Sequence, residues 1–130
     1  MNYWEEIDGA DPELATAPAG TSVVVQKWFP SARVVKSLNH ITYYKFDEDR
    51  RPQGVPGRVA MAAASDDRDA RVKVLQLIDD LGFDPVDAGM LDAGLVLQPG
   101  GPVFGAGQTA EELSNLLERE AGRRQNLMTV

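Results

Sequence analysis

The segment from Arg58 to Gly89 constrains the fold more than any other part of the sequence. Val72, Leu75 and Ile78, joined by Val74, Leu77 and Leu81, recur at intervals of three and four with charged residues opposite, which predicts an amphipathic helix. Asp66 or Asp67 supplies its N-cap and Gly82 the glycine just past its end. Before it lies RVAMAAAS, residues 58–65, a continuous apolar run bounded by Gly57 and the aspartates. This run is too short for a free-standing helix and apolar on both faces, as strands of parallel sheets are, although its four alanines leave a helix open. After the helix, FDPVDAG at 83–89 reads as a brief strand whose Pro85 places it at a sheet edge or a strand start. Strand, helix and strand with short turns form the right-handed unit of a parallel sheet.

The rest of the chain is fitted around that unit. A length of 130 residues makes 1–130 a single domain. Residues 1–20 are rich in Gly, Pro, Ala and acid and read as an arm. Thr21 and Ser22 then cap a short helix whose Val24, Trp28 and Phe29 face the core, with Pro30 as its stop. ARVVKSLN, 32–39, reads as a buried strand, and 41–57 as an irregular segment with one helical turn. A glycine- and proline-rich loop precedes Thr109–Glu112, a capping box that opens a last helix with Leu113, Leu116 and Leu117 on one face. Residues 122–130 are expected to fray. The predicted class is α/β: a partial Rossmann-like, doubly wound sheet of about three parallel strands with flanking helices. Such a sheet leaves an open edge and one exposed face, although parallel sheets need both faces covered.

Composition excludes several functions. Thirteen Lys and Arg against twenty Asp and Glu give a net charge of −7, which repels nucleic acid. Without cysteine there is no disulfide, thiolate nucleophile or Cys-ligated metal, and a single histidine, His40, argues against a multi-histidine site. No window is apolar enough to span a membrane and the start is acidic, so a cytoplasmic protein with no membrane partner is expected. Charge is uneven: residues 1–20 carry −5, 21–58 carry +4, and the remainder carries −6. The positive third reads either as a surface for an anionic ligand such as a nucleotide phosphate or as solvated ends of elements.

Five stretches together carry a resemblance. ARVVKSLNHI at 32–41 resembles the VVKAFN strand and turn of the small NAD(P)-binding oxidoreductases related to deazaflavin-dependent NADP reductases. The likeness continues through Ala62–Asp67 (AAASDD), LIDDLGF at 77–83, PVDAGML at 85–91 and QPG at 98–100. NYWEEIDG at 2–9 is similar to the segment those proteins carry after their fourth strand. The likeness spans about residues 2–104, in order. It implies hydride transfer between NADPH and a deazaflavin or similar acceptor. Family members begin with a strand and a G-x-G-x-x-G turn that grips the pyrophosphate. That fingerprint is missing here; GGPVFG at 100–105 lacks its spacing and reads as a loop. The chain therefore resembles the C-terminal half of such a domain, and NADP binding by it alone is expected to be weak or absent.

The resemblance also nominates cofactor-binding residues. Asn39 would orient the nicotinamide or its acceptor, or else cap the following turn. His40 would be a proton donor nearby, or else a satisfied turn histidine. Asn2 would sit beside the nicotinamide ribose, but is expected to be mobile without the strand that precedes it in the family. Gln98 would lie on the acceptor side. Lys36, inside a buried strand, should pair with an acid or touch the cofactor. No catalytic side chain is expected, since the chemistry belongs to the cofactor. Asp66–Asp67 and Asp79–Asp80 read as a cap and a solvated helix face, with no metal. The alternative reading is a truncated, non-catalytic remnant that closes the exposed edge of ARVVKSLN by homo-oligomerisation or with a partner; a third is a fragment whose partner chain supplies the first half.

Overall fold

The computed structural model describes residues 1–128. In chain order the elements are α1 (Glu5–Asp8), α2 (Pro12–Ala15), α3 (Thr21–Trp28), β1 (Lys36–Ser37), α4 (Lys45–Asp49), β2 (Ala60–Ala64), α5 (Arg68–Leu81), β3 (Asp84–Gly89), a 3₁₀ helix (Leu91–Leu97) and α6 (Ala110–Met128). The protein is mixed α/β, with one three-stranded mixed sheet in the order β1-β2-β3.

The strand–helix–strand unit forms as its sequence demands. All five residues of β2 are buried, and β2 pairs in parallel with β3 from Ala60↔Asp84 to Ala64↔Gly89. Asp67 is the N-cap of α5, accepting from the Ala70 amide at 2.8 Å, and Gly82 closes the helix in the left-handed conformation at φ 111°. A side chain at Gly82 would also strike the Arg50 side chain, so both dihedral and space require glycine. Pro85 lies on the edge strand β3, where a missing amide donor is tolerated.

Both faces of β2 are covered, which corrects the expected exposed face. Ala60 and Ala62 pack with Val86, Leu97, Val103 and Leu113 on one side, beneath the 3₁₀ helix and α6. Met61 and Ala63 pack with Ile78 and Phe83 on the other, beneath α5, and Phe46 of α4 closes that cluster against Phe83 with ring centroids 5.1 Å apart. Alternation along a single alanine-rich strand thus feeds two cores.

The expectation of about three parallel strands is corrected to one parallel pair. Of ARVVKSLN only Lys36 and Ser37 form strand, and β1 runs antiparallel to β2 (Lys36↔Ala64, Ser37↔Ala63). Two local causes shorten it. The Val34 amide donates to the Gln26 side chain and the Val34 carbonyl accepts from the Ser65 hydroxyl, so these ladder groups go to side chains. Leu38 then adopts φ 59°, a costly left-handed turn for a branched residue, and ends the strand.

Three terminal expectations also change. Residues 1–20, expected as an extended or looping arm, carry two short helices: Asp11 caps α2 through the Glu13 and Leu14 amides, and the Tyr3 hydroxyl donates to the Gly9 carbonyl while accepting from the Asp11 amide. Residues 122–128 are helical, anchored where Arg124 donates to the carbonyl and carboxylate of Asp92; residues 129–130 of the expected frayed tail lie outside those described. The N-cap of α3 is Gly20, with Thr21 and Ser22 inside the helix, and Trp28 and Phe29 are 44% and 60% exposed rather than core.

Candidate functional site

Because β1 is antiparallel, Asn39 and His40 do not sit at the carboxyl end of the parallel pair. The chain passes from Lys36 beside Ala64 back along β2, so that His40 Nε2 accepts from the Ala62 amide at 3.0 Å. The carbonyl of His40 accepts from the Gly105 amide at 2.7 Å. His40 is buried, and burial lowers its pKa to about 4. A neutral ring whose Nε2 accepts carries its proton on Nδ1, so at neutral pH this side chain is a post for the sheet rather than a source of protons.

Asn39 is more informative. Its Nδ2 donates to the Leu97 carbonyl at 2.8 Å and to Asn2 Oδ1 at 3.1 Å, while Asn2 Nδ2 donates to the Asn39 carbonyl at 3.1 Å. These bonds fix both amide orientations, because a flipped Asn39 would turn its oxygen on the Leu97 carbonyl. They also correct the expectation of a mobile Asn2. Asn39 Oδ1 remains buried without a hydrogen-bond partner. Such an acceptor costs free energy until a donor reaches it.

Gln98 follows Leu97 but turns elsewhere. Its Oε1 accepts from the Thr21 amide at 2.7 Å and from the Thr21 hydroxyl at 3.3 Å, capping α3, whose own N-cap glycine has no side chain. Gly20, at φ 101°, is required here because a Cβ would crowd Gln98 Oε1 and the Leu95 amide. The structure thus brings Asn2, Asn39, His40 and the backbone before Gln98 together, while the Gln98 side chain serves a helix.

Lys36 does not meet the acid expected of it among the described residues. It is 3% exposed and donates to the Met1 carbonyl, and its aliphatic stem lies close against Gly94, where a Cβ would crowd it at 3.0–3.1 Å. Burial lowers its pKa. Of the seven bases of the positive third, Lys36 and Arg58 are buried and take no part in any surface. Just past the carboxyl end of β2, an open cleft of about 540 Å³ is lined by Gln26, Lys27, Arg33, Asp66 and Asp67, among others. The α5 N-terminus there is already served by the chain's own carboxylates, with Asp67 capping it and Asp66 accepting from the Leu91 amide. A phosphate there would meet these two carboxylates beside Lys27 and Arg33, with the helix N-terminus already taken. Among the described residues no cluster of three or more metal-ligating side chains occurs, and no helix is long and apolar enough to cross a membrane.

No protein-family model and no curated protein matches the chain. Among solved structures it is similar to a hypothetical protein from Sinorhizobium meliloti, at 32% identity and a TM-score of 0.55. The match covers 64% of this chain and 40% of that one, so the chain spans less than half the length of that protein. The likeness supports the fold; the neighbour's description carries no activity.

Proposed function

We propose that the chain forms the nicotinamide-side part of an NAD(P)-dependent oxidoreductase, of the kind that moves a hydride between NADPH and a deazaflavin or similar acceptor, with the dinucleotide phosphates held by polypeptide other than these residues. The sequence resemblance over residues 2–104 supplies the class of reaction. The observation that carries the reading to a site is the unpartnered Asn39 Oδ1, an acceptor suited to the N–H of a carboxamide. The absence of a phosphate cradle in this chain and the carboxylates at the α5 N-terminus are why the phosphates are assigned elsewhere.

In this reading the chain binds and orients and moves no proton. The Leu97 carbonyl and Asn2 Oδ1 hold the Asn39 amide with its oxygen outward from both, and His40 keeps the turn against β2. A bound nicotinamide would supply the hydride. Because the acceptor is buried, a ligand reaches it only after a local rearrangement.

The test is a pair of titrations of the full chain. Nicotinamide mononucleotide should shift the side-chain amide resonances of Asn2 and Asn39 before others, and NADPH should bind little more tightly than it. A dissociation constant for NADPH near 1 µM, about −8 kcal/mol, would place a phosphate site within the chain and overturn the assignment. No change at Asn2 or Asn39 would sink the nicotinamide reading. Exposed Trp28 and Phe29 favour the second reading, a module that covers these aromatics with itself or a partner. The sheet edge is a poorer candidate than expected, because β1 is two residues long and carries a lysine. Concentration-dependent sedimentation together with unperturbed Asn39 is the outcome that second reading expects.

A further inference from the structure

Lysine is almost never fully buried unless a carboxylate neutralises it. Lys36 is buried, yet none of the ion pairs among the described residues involves it; its amine donates to a neutral carbonyl, that of Met1. Lys36 lines a cavity of about 160 Å³, roughly the volume of five waters, between α3, the arm and the chain entering β1. Leu14, Val25, Val34 and Val35 make much of that cavity apolar, and Tyr3, Thr21 and Ser22 contribute to the rest.

From the cavity and the uncompensated amine at its wall, we propose that Lys36 is a nucleophile that condenses with a short aliphatic aldehyde or ketone to form an imine. This goes beyond the nicotinamide reading and does not depend on it. An unprotonated amine has one lone pair, and donating an N–H to the Met1 carbonyl leaves it available. That lone pair attacks the carbonyl carbon as the C=O π pair moves to oxygen. A proton passes from nitrogen to that oxygen. The nitrogen lone pair then forms C=N as the hydroxyl leaves with a second proton as water, so one water is released and no oxidant or reductant is consumed. The apolar wall favours the neutral amine over the ammonium, in line with the lowered pKa. The charged group facing Lys36 is the Met1 amine, whose pKa burial and then the Lys36 charge lower, so the nearest charge also disfavours protonation of Lys36.

The experiment incubates the full chain near neutral pH with butanal and cyanoborohydride, which traps the imine as a secondary amine, and maps the modified sites by peptide mass spectrometry. Lys36 is expected to react at least about tenfold faster than Lys27, Lys45 or Lys73, none of which lines this cavity. Cyclohexanecarboxaldehyde, too bulky for the cavity, should lose that preference, while modification of the three other lysines continues. Labelling of Lys36 no faster than the others would overturn the proposal. So would an equal preference with the bulky aldehyde, because the cavity would then not be the route. Since the wild-type chain is used throughout, no folding defect can mimic either result.

Discussion

Arg58→Ala is expected to destabilise the protein by about 3 kcal/mol, the scale on which breaking a buried ion pair acts. The guanidinium is buried just before β2 and ties three elements together. One nitrogen donates to Asp79 Oδ1 at 2.8 Å and to Asp84 Oδ1 at 3.2 Å, and the other to the Asp79 carbonyl at 2.7 Å. That carbonyl lies in the last turn of α5, where a cation also meets the negative end of the helix dipole. Asp79 keeps a carboxyl pKa below its ordinary value, first through the Arg58 hydrogen bond and then through one from Gln53. Arg58→Met, which preserves the aliphatic stem, separates packing from charge. Asp79→Asn, which leaves the buried cation with Asp84 and the carbonyl, should destabilise less than Arg58→Ala. Urea unfolding midpoints of the three variants measure this. An Arg58→Met protein as stable as the parent would show that the charge network contributes nothing.

Asp79 also shows where a sequence stops being legible. On a helical wheel it belongs to a solvated face with Asp80, and nothing within α5 signals that a buried arginine twenty-one residues earlier reaches it. By contrast, α5 was readable at both ends, because Asp67 and Gly82 act on their own helix. The burial of β2 was readable for the same reason: an uninterrupted apolar run needs cover on both faces whatever supplies it.

The direction of β1 was not readable. Nor was its shortness, which turns on Leu38 in a left-handed conformation and on two side chains, Gln26 and Ser65, that take the Val34 backbone groups. Those contacts are tertiary, and they moved Asn39 and His40 away from the sheet's carboxyl end. The pairing of Asn39 with Asn2 spans thirty-seven positions, and nothing in the sequence signals it; Asn2 reads there as mobile. Gln98 was found as part of the same site, but its side chain compensates for Gly20, a need that appears only once α3 is seen to begin there. Lys36 carried a usable signal, a lysine amid apolar residues, and the missing carboxylate is what the structure adds.

Acidification from pH 7 to pH 4 is expected to remove about 3 kcal/mol of stability through His40 alone. The ring titrates near 6.5 when unfolded and at about 4 when folded, lowered by burial. The unfolded chain therefore binds the proton first as pH falls. The contribution of the neutral ring is complete above about 6.5, declines between 6.5 and 4, and changes no further below 4. The geometry explains why the folded state resists: protonating Nε2 would set an N–H against the Ala62 amide, which would lose its acceptor. His40→Gln can still offer an oxygen to that amide and cannot titrate, so its stability should be nearly flat across the same window. His40→Phe should be weaker at every pH, because it orphans the amide without restoring a partner. Chemical denaturation of the parent and both variants at half-unit pH steps separates these cases. If the parent and His40→Gln fall together between pH 6.5 and 4, the acid sensitivity resides in other groups and His40 is not held neutral by the fold.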